Sequence, residues 1–151
     1  MKDRYIYKKP CEVCKKIIDV DIYKQGECPF CGWHNCFLNE EHPNSVAMPN
    51  LISLNKAKQL YNEGKPFEPD LEEFIEALHA YGEMQFEYQG VHYAVELVEH
   101  ENGKIKISLY NSQTKEVTIF NDDTEFINNA KVENKPIKDI WEKTTDRYWL
   151  Q

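Results

Sequence analysis

Four cysteines in two Cys-x-x-Cys pairs, Cys11-Glu-Val-Cys14 and Cys28-Pro-Phe-Cys31, are the residues whose type and spacing most directly specify chemistry. Two residues between cysteines let one tight turn aim both sulfurs at one point. Thirteen residues separate the pairs, slightly fewer than is usual but enough for a short hairpin. Together the pairs offer the four soft, tetrahedral ligands that Zn2+ prefers. Gly32, just past the second pair, suits a tight turn there. Four thiolates would close the metal's shell, so the ion is expected to serve the fold and not catalysis, which needs an open position for water. His34 and Cys36 stand close enough in sequence to replace Cys31 as the fourth ligand. Otherwise Cys36 reads as a small buried apolar residue. A thioredoxin-like redox role would require a βαβ setting, and no such pattern surrounds either pair.

The other reactive side chains form no catalytic set, so the chain is not expected to be an enzyme. His42, His79, His92 and His100 are scattered, and neither a glycine-rich phosphate loop nor a nucleophile elbow is present. Around the cysteines, Lys8, Lys9, Lys15, Lys16 and Lys24 alternate with Tyr5, Tyr7 and Tyr23. Such interleaving can grip phosphates and stack bases. The same stretch carries Glu12, Asp19, Asp21 and Glu27, which brings its charge near zero. A solvated ribbon surface is the favoured reading, and a regulatory nucleic-acid-binding ribbon the alternative.

Charge is uneven along the 151 residues. The net of -8 lies wholly in residues 51–151. Between Glu68 and Glu101 there are ten carboxylates and no Lys or Arg. A surface of one sign disfavours binding to phosphates and suits either solubility or docking of a basic protein. Glu72, Glu73 and Glu76 on a helix, with Glu87 and Glu96 on strands, are the expected docking residues. No apolar run approaches the length that spans a bilayer, and Met1–Pro10 lacks the apolar stretch of a signal peptide. A cytosolic location is expected, where clustered cysteines point to metal more than to disulfides.

These residues need elements to hold them. All five cysteines fall within 8–40, which defines a zinc ribbon over residues 1–40. Residues 41–69 hold four of the seven prolines and read as a bridge with one helix, begun near Ser53 and ended by Gly64 and Pro66. Residues 70–151 read as an α+β domain. Asp70-Leu-Glu-Glu73 fits a capping box, after which Leu71, Phe74, Ile75 and Leu78 line one face up to Gly82. Period-2 alternation then predicts a four-stranded antiparallel meander: Met84/Phe86/Tyr88, Val91 to Leu97, Ile105 to Leu109, and Glu116 to Phe120 with Val117 and Ile119 sharing a face. One face should be buried beneath the Asp70 helix and one wet. Short helices around Phe126–Ile127 and after Pro136 follow, and the apolar tail Tyr148-Trp149-Leu150 should pack back. The predicted fold class is therefore α+β, an N-terminal zinc ribbon plus a helix, a meander and short C-terminal helices.

At Cys28-Pro-Phe-Cys31-Gly32-Trp33 the chain resembles the bacterial cysteine-rich family named for its Cys-Pro-Cys-Cys motif. The resemblance continues through Glu40–Glu41 and Ser53-Leu-Asn-Lys-Ala57 and covers residues 8–62; Cys11-Glu-Val-Cys14 departs from it, lacking the Pro-Cys centre. It implies a zinc-ribbon fold and no defined activity. In its helix-plus-meander layout, residues 70–151 resemble small α+β domains among immunity proteins of toxin systems, an analogy of layout and not of motif. The resulting expectation is a non-catalytic bacterial protein-interaction module, with an immunity protein that neutralises a basic toxin as its most specific form.

Overall fold

The computed structural model describes residues 6–21 and 25–149. Backbone contacts divide the chain into two compact units, Met1–Glu68 and Pro69–Gln151.

In the first unit two short hairpins carry the cysteines. β1 (Tyr7–Pro10) pairs antiparallel with β2 (Ile17–Val20), and β3 (Gly26–Glu27) with β4 (His34–Asn35). Alternation in β2 buries Ile18 and Val20 and leaves Ile17 exposed. A five-residue helix, α1 (Phe37–Glu41), follows; nothing in the sequence pattern marked it. α2 (Leu54–Asn62) starts where Ser53 accepts a hydrogen bond from the Lys56 N–H. Its apolar stripe, Leu54, Ala57 and Leu60, packs into one cluster with Cys11, Val13, Ile18, Val20, Cys28, Trp33 and Ile52. Phe67 closes this cluster edge-on to Trp33, with ring centroids 5.8 Å apart. Gly26 is required by packing: a Cβ there would stand 2.5 Å from the Asp19 carbonyl oxygen.

In the second unit Asp70 caps α3 (Leu71–Tyr81) through the full reciprocal box. The Glu73 N–H donates to Asp70 Oδ1 at 2.8 Å, and the Asp70 N–H to Glu73 Oε1 at 3.0 Å. The strands β5 (Glu83–Tyr88), β6 (Val91–Glu99), β7 (Ile105–Asn111) and β8 (Val117–Phe120) form the expected meander. The sheet nevertheless has five strands, not four. β11 (Thr145–Trp149) pairs antiparallel with β5, giving the order β11-β5-β6-β7-β8. The open edge of β5 leaves backbone groups that the C-terminal segment satisfies, so that segment packs back as a strand. A register shift between Thr145 and Tyr148, with Asp146 at φ 51°, breaks the alternation that would have marked it.

Between β8 and β11 lie α4 (Asp123–Asn129), a two-residue ladder of β9 (Lys131–Val132) with β10 (Lys135–Pro136), α5 (Ile137–Ile140), and a 3-10 turn over Trp141–Lys143. α3 covers the sheet's inner face. Phe74 meets Phe86 and Trp141 at 6.0 and 4.7 Å, and Phe86 stacks on Tyr93 at 5.2 Å. Each such buried side chain contributes on the order of 2 kcal/mol through the apolar area it removes from water. The Trp141 Nε1–H donates to the Pro69 carbonyl at 3.1 Å, so the ring closes the core without an unpaired polar atom.

The parity of β8 corrects one expectation. Val117 and Ile119 do share a face, but it is the outer one: they are 58% and 43% exposed, while Phe120 is buried. The register sets Thr118 opposite Leu109 and Phe120 opposite Ile107, and Phe120 packs edge-on against Phe126 of α4 at 5.2 Å. Burying that one aromatic pair outweighs burying two aliphatic residues at a sheet edge.

Candidate metal centre

The two Cys-x-x-Cys turns are built alike. In the first, the Cys11 N–H donates to the Lys16 carbonyl at 2.8 Å and the Lys15 N–H to the Cys11 carbonyl at 2.9 Å. In the second, the Cys28 N–H donates to the Trp33 carbonyl at 2.8 Å and the Gly32 N–H to the Cys28 carbonyl at 2.9 Å. Each turn thus closes on a residue with positive φ, Lys15 at 65° and Gly32 at 81°. Each hairpin ladder runs straight into its turn, so β1–β2 and β3–β4 fix where the sulfurs point.

The result is one cluster. The Sγ atoms of Cys11, Cys14, Cys28 and Cys31 all lie within 4.8 Å of one another, with Cys11 to Cys31 at 3.7 Å and Cys14 to Cys28 at 3.5 Å. A tetrahedral zinc ion bonded to four thiolates at about 2.3 Å sets its sulfurs about 3.8 Å apart. Donor type, number and spacing therefore fit such an ion, and the four residues can hold a metal. Cys31 is the fourth member, and neither candidate substitute joins. The Cys36 thiol is buried away from the cluster and donates to Asn39 Oδ1 at 2.8 Å. His34 sits half-buried on β4, outside the cluster.

The thiols differ in their surroundings. Burial pushes Cys14 and Cys31 above the ordinary thiol range. Burial acts in the same direction on Cys11, but the Asn35 amide and the N–H groups of Cys14 and Val13 outweigh it, bringing this thiol down to about 7. Asn35 is the residue the sequence did not single out. It is fully buried on β4, accepts from the Glu12 N–H at 2.9 Å, and sets Nδ2 3.4 Å from both Cys11 Sγ and the Gly26 carbonyl. One side chain thereby ties the first turn to the second hairpin and orients the Cys11 sulfur.

Among the described residues of the ribbon, three lysines are engaged with acids. Lys8 pairs with Asp19 at 3.3 Å, Lys9 with Glu12 at 3.3 Å and with Glu40, and Lys15 with Glu12 at 3.8 Å. Lys16 lies over the Phe30 ring at 4.8 Å. Tyr5, Tyr23 and Lys24, named with them as a possible nucleic-acid grip, lie outside the described residues.

The five glutamates expected to dock a partner do not form one surface. Glu72 and Glu76 are exposed on α3, and Glu73 is held in the capping box. Glu87 and Glu96 face the opposite side of the sheet, where Glu87 contacts His92 at 2.6 Å and Glu96 stands directly across from Glu83. The expectation that the Asp70 helix covers the apolar face already sets the polar strand positions on the side of the sheet away from α3, which is where Glu87 and Glu96 stand.

A polar cleft of about 620 Å3 lies between β6–β8 and the β9–β10 hairpin, with Tyr93, Asn111, Glu116, Lys131 and Glu133 on its walls. Burial and the nearby Glu133 charge raise the Tyr93 phenol. Among the described residues, no helix is long and apolar enough to cross a membrane. Set against family models, curated proteins and solved structures, the chain matches none of them.

Proposed function

We propose that this protein is a non-catalytic protein-interaction module: a first unit held together by one structural zinc ion, and a second unit that docks a basic protein partner. In the narrowest form of the reading the module is an immunity protein and the partner a nuclease-type toxin, whose substrate-binding surface must be cationic to bind a polyanion. Zinc supplies a crosslink between the two short hairpins, and Cys11, Cys14, Cys28 and Cys31 are its ligands. Among the described residues, Lys8, Lys9 and Lys15 are each paired with Glu12, Asp19 or Glu40, which favours a protein partner over nucleic acid.

The observation that carries the docking reading is the one-sign segment from Glu68 to Glu101. Its acids include Glu83 and Glu96 directly opposite each other on adjacent strands, an arrangement that costs stability and that solubility does not require. A field of one sign steers an oppositely charged partner and speeds association.

Because the sheet separates the two acidic groups, two double variants distinguish them: Glu72→Lys with Glu76→Lys on α3, and Glu83→Lys with Glu96→Lys on the outer face. The test is capture from native cell extract at low and high salt, with the bound proteins identified by mass spectrometry. The expected result is a basic protein retained by wild type at low salt, released at high salt, and lost in one of the two variants. Equal capture by wild type and both variants, or capture of nucleic acid alone, overturns the reading.

A further inference from the structure

β8 ends the five-stranded sheet, and its free side is prepared for another strand. The Asn111 N–H donates to the Glu116 carbonyl at 3.0 Å, which makes 111 and 116 a hydrogen-bonded pair. In an antiparallel ladder hydrogen-bonded pairs alternate with non-bonded ones, so 118 with 109 and 120 with 107 also bond to β7. The backbone N–H and C=O groups of Val117 and Ile119 therefore point away from β7, out of the sheet. These two residues also carry exposed aliphatic side chains on the outer face. Proteins ordinarily blunt an edge of this kind with charge, proline or a bulge, and none interrupts 117–120.

We propose that this edge pairs antiparallel with the same edge of a second copy of the chain, Val117 opposite Ile119 of the copy, joining the two sheets across a two-fold axis. Several features select a second copy. A two-fold axis normal to the sheet keeps both inner faces on one side, so only residues of like parity stand opposite each other. Among such registers, the one centred on Thr118 pairs both outward-pointing residues with each other, so that the N–H and C=O groups of Val117 and Ile119 all find partners. It also sets valine against isoleucine twice on the outer face, the kind of cross-strand pair that stabilises sheets. Charge agrees with this direction. Lys115 at one end of the strand comes alongside Asn121-Asp122 of the copy, twice over, whereas a parallel arrangement would oppose Lys115 to itself.

The test is light scattering with size exclusion over a wide concentration series of the full chain. Wild type is expected to approach twice the chain mass as concentration rises. Val117→Lys and Ile119→Lys, both at exposed side chains, are expected to stay at the single-chain mass throughout. Ile119→Pro is a second probe, because its N–H points outward and its loss leaves the bonds to β7 in place. Tyr148→Lys changes an exposed residue, 41% accessible, on β11 at the other edge of the sheet and is expected to behave as wild type. A wild-type chain that stays at single mass, a dimer that survives all three edge variants, or one that Tyr148→Lys also abolishes, overturns the proposal.

Discussion

At the level of single residues, the cysteines that cluster were legible and the residue that orients one of them was not. Four identical side chains at fixed spacing have one chemical use, which sequence alone expresses. Asn35 works only because β3–β4 brings it under Cys11, across 24 positions of chain, and an asparagine after Trp33-His34 carries no such signal. Replacing a group that supports a metal ligand commonly lowers affinity 10- to 100-fold. Asn35→Ala is therefore expected to weaken zinc binding about tenfold or more, read by competition with a chromophoric chelator; unchanged affinity removes Asn35 from that role. The thiols predict a proton count as well. Cys14 and Cys31 are raised and hold their protons at neutral pH in the metal-free chain, while Cys11 sits at about 7. Zinc binds thiolates, so loading at neutral pH is expected to release at least the protons of Cys14 and Cys31, with Cys11 contributing less than a full proton. Because protons compete for the same sulfurs, affinity falls as pH falls. Calorimetry in buffers of different ionisation enthalpy gives the count, and release of less than one proton contradicts this account.

Elements were legible where local chemistry and tertiary packing agree. The Asp70 capping box, the Leu71/Phe74/Ile75/Leu78 stripe and the Gly82 stop define α3 with no reference to the rest of the chain. Alternation likewise located β5 to β7. The pattern failed at the last strands, where tertiary partners decide. Phe126 selects which face of β8 is buried, and β11 exists because β5 offers it an edge. The two kinds of element should respond differently to mutation. Asp70→Ala removes one acceptor from an orphan N–H and half of a reciprocal box, so a loss of about 1 kcal/mol is expected in denaturant unfolding of the second unit. Gly26→Ala acts through space. Its Cβ would overlap the Asp19 carbonyl at 2.5 Å, so β2 and β3 must separate; overpacking of this kind costs about 1–3 kcal/mol. If Gly26→Ala leaves the ribbon's stability unchanged, the close approach of the two strands is wrong.

The molecule as a whole joins two solutions to the same problem of burying enough surface. The second unit assembles its core from long side chains of its own, with Phe74, Phe86, Tyr93 and Trp141 in mutual ring contact around one covered sheet face. Its order needs no metal. The first unit has two-residue and four-residue strands, and two of its most buried side chains belong to the cysteine cluster, Cys11 and Cys28. Without an ion, four sulfurs within 4.8 Å of one another gain little from their proximity. Metal binding and folding of this unit are then expected to be one equilibrium, as in small zinc domains generally. The same logic gives the composition its meaning: the cysteines are confined to the unit whose core is thin, and aromatic clustering to the one whose core is ample. Purified protein is expected to contain one zinc per chain by elemental analysis, which also distinguishes zinc from iron in the same four-thiolate set. Removal of the ion by a strong chelator, or Cys11→Ser or Cys28→Ser, is expected to abolish amide-exchange protection across β1–β4 while β5–β8 and α3 keep theirs. Segment-resolved hydrogen exchange makes the comparison within one sample. Protection lost equally from both units would show that the second depends on the first; protection retained by β1–β4 after complete metal removal would mean that the ribbon's apolar cluster of Val13, Ile18, Val20, Trp33 and Leu54 suffices without a metal, leaving zinc no structural role.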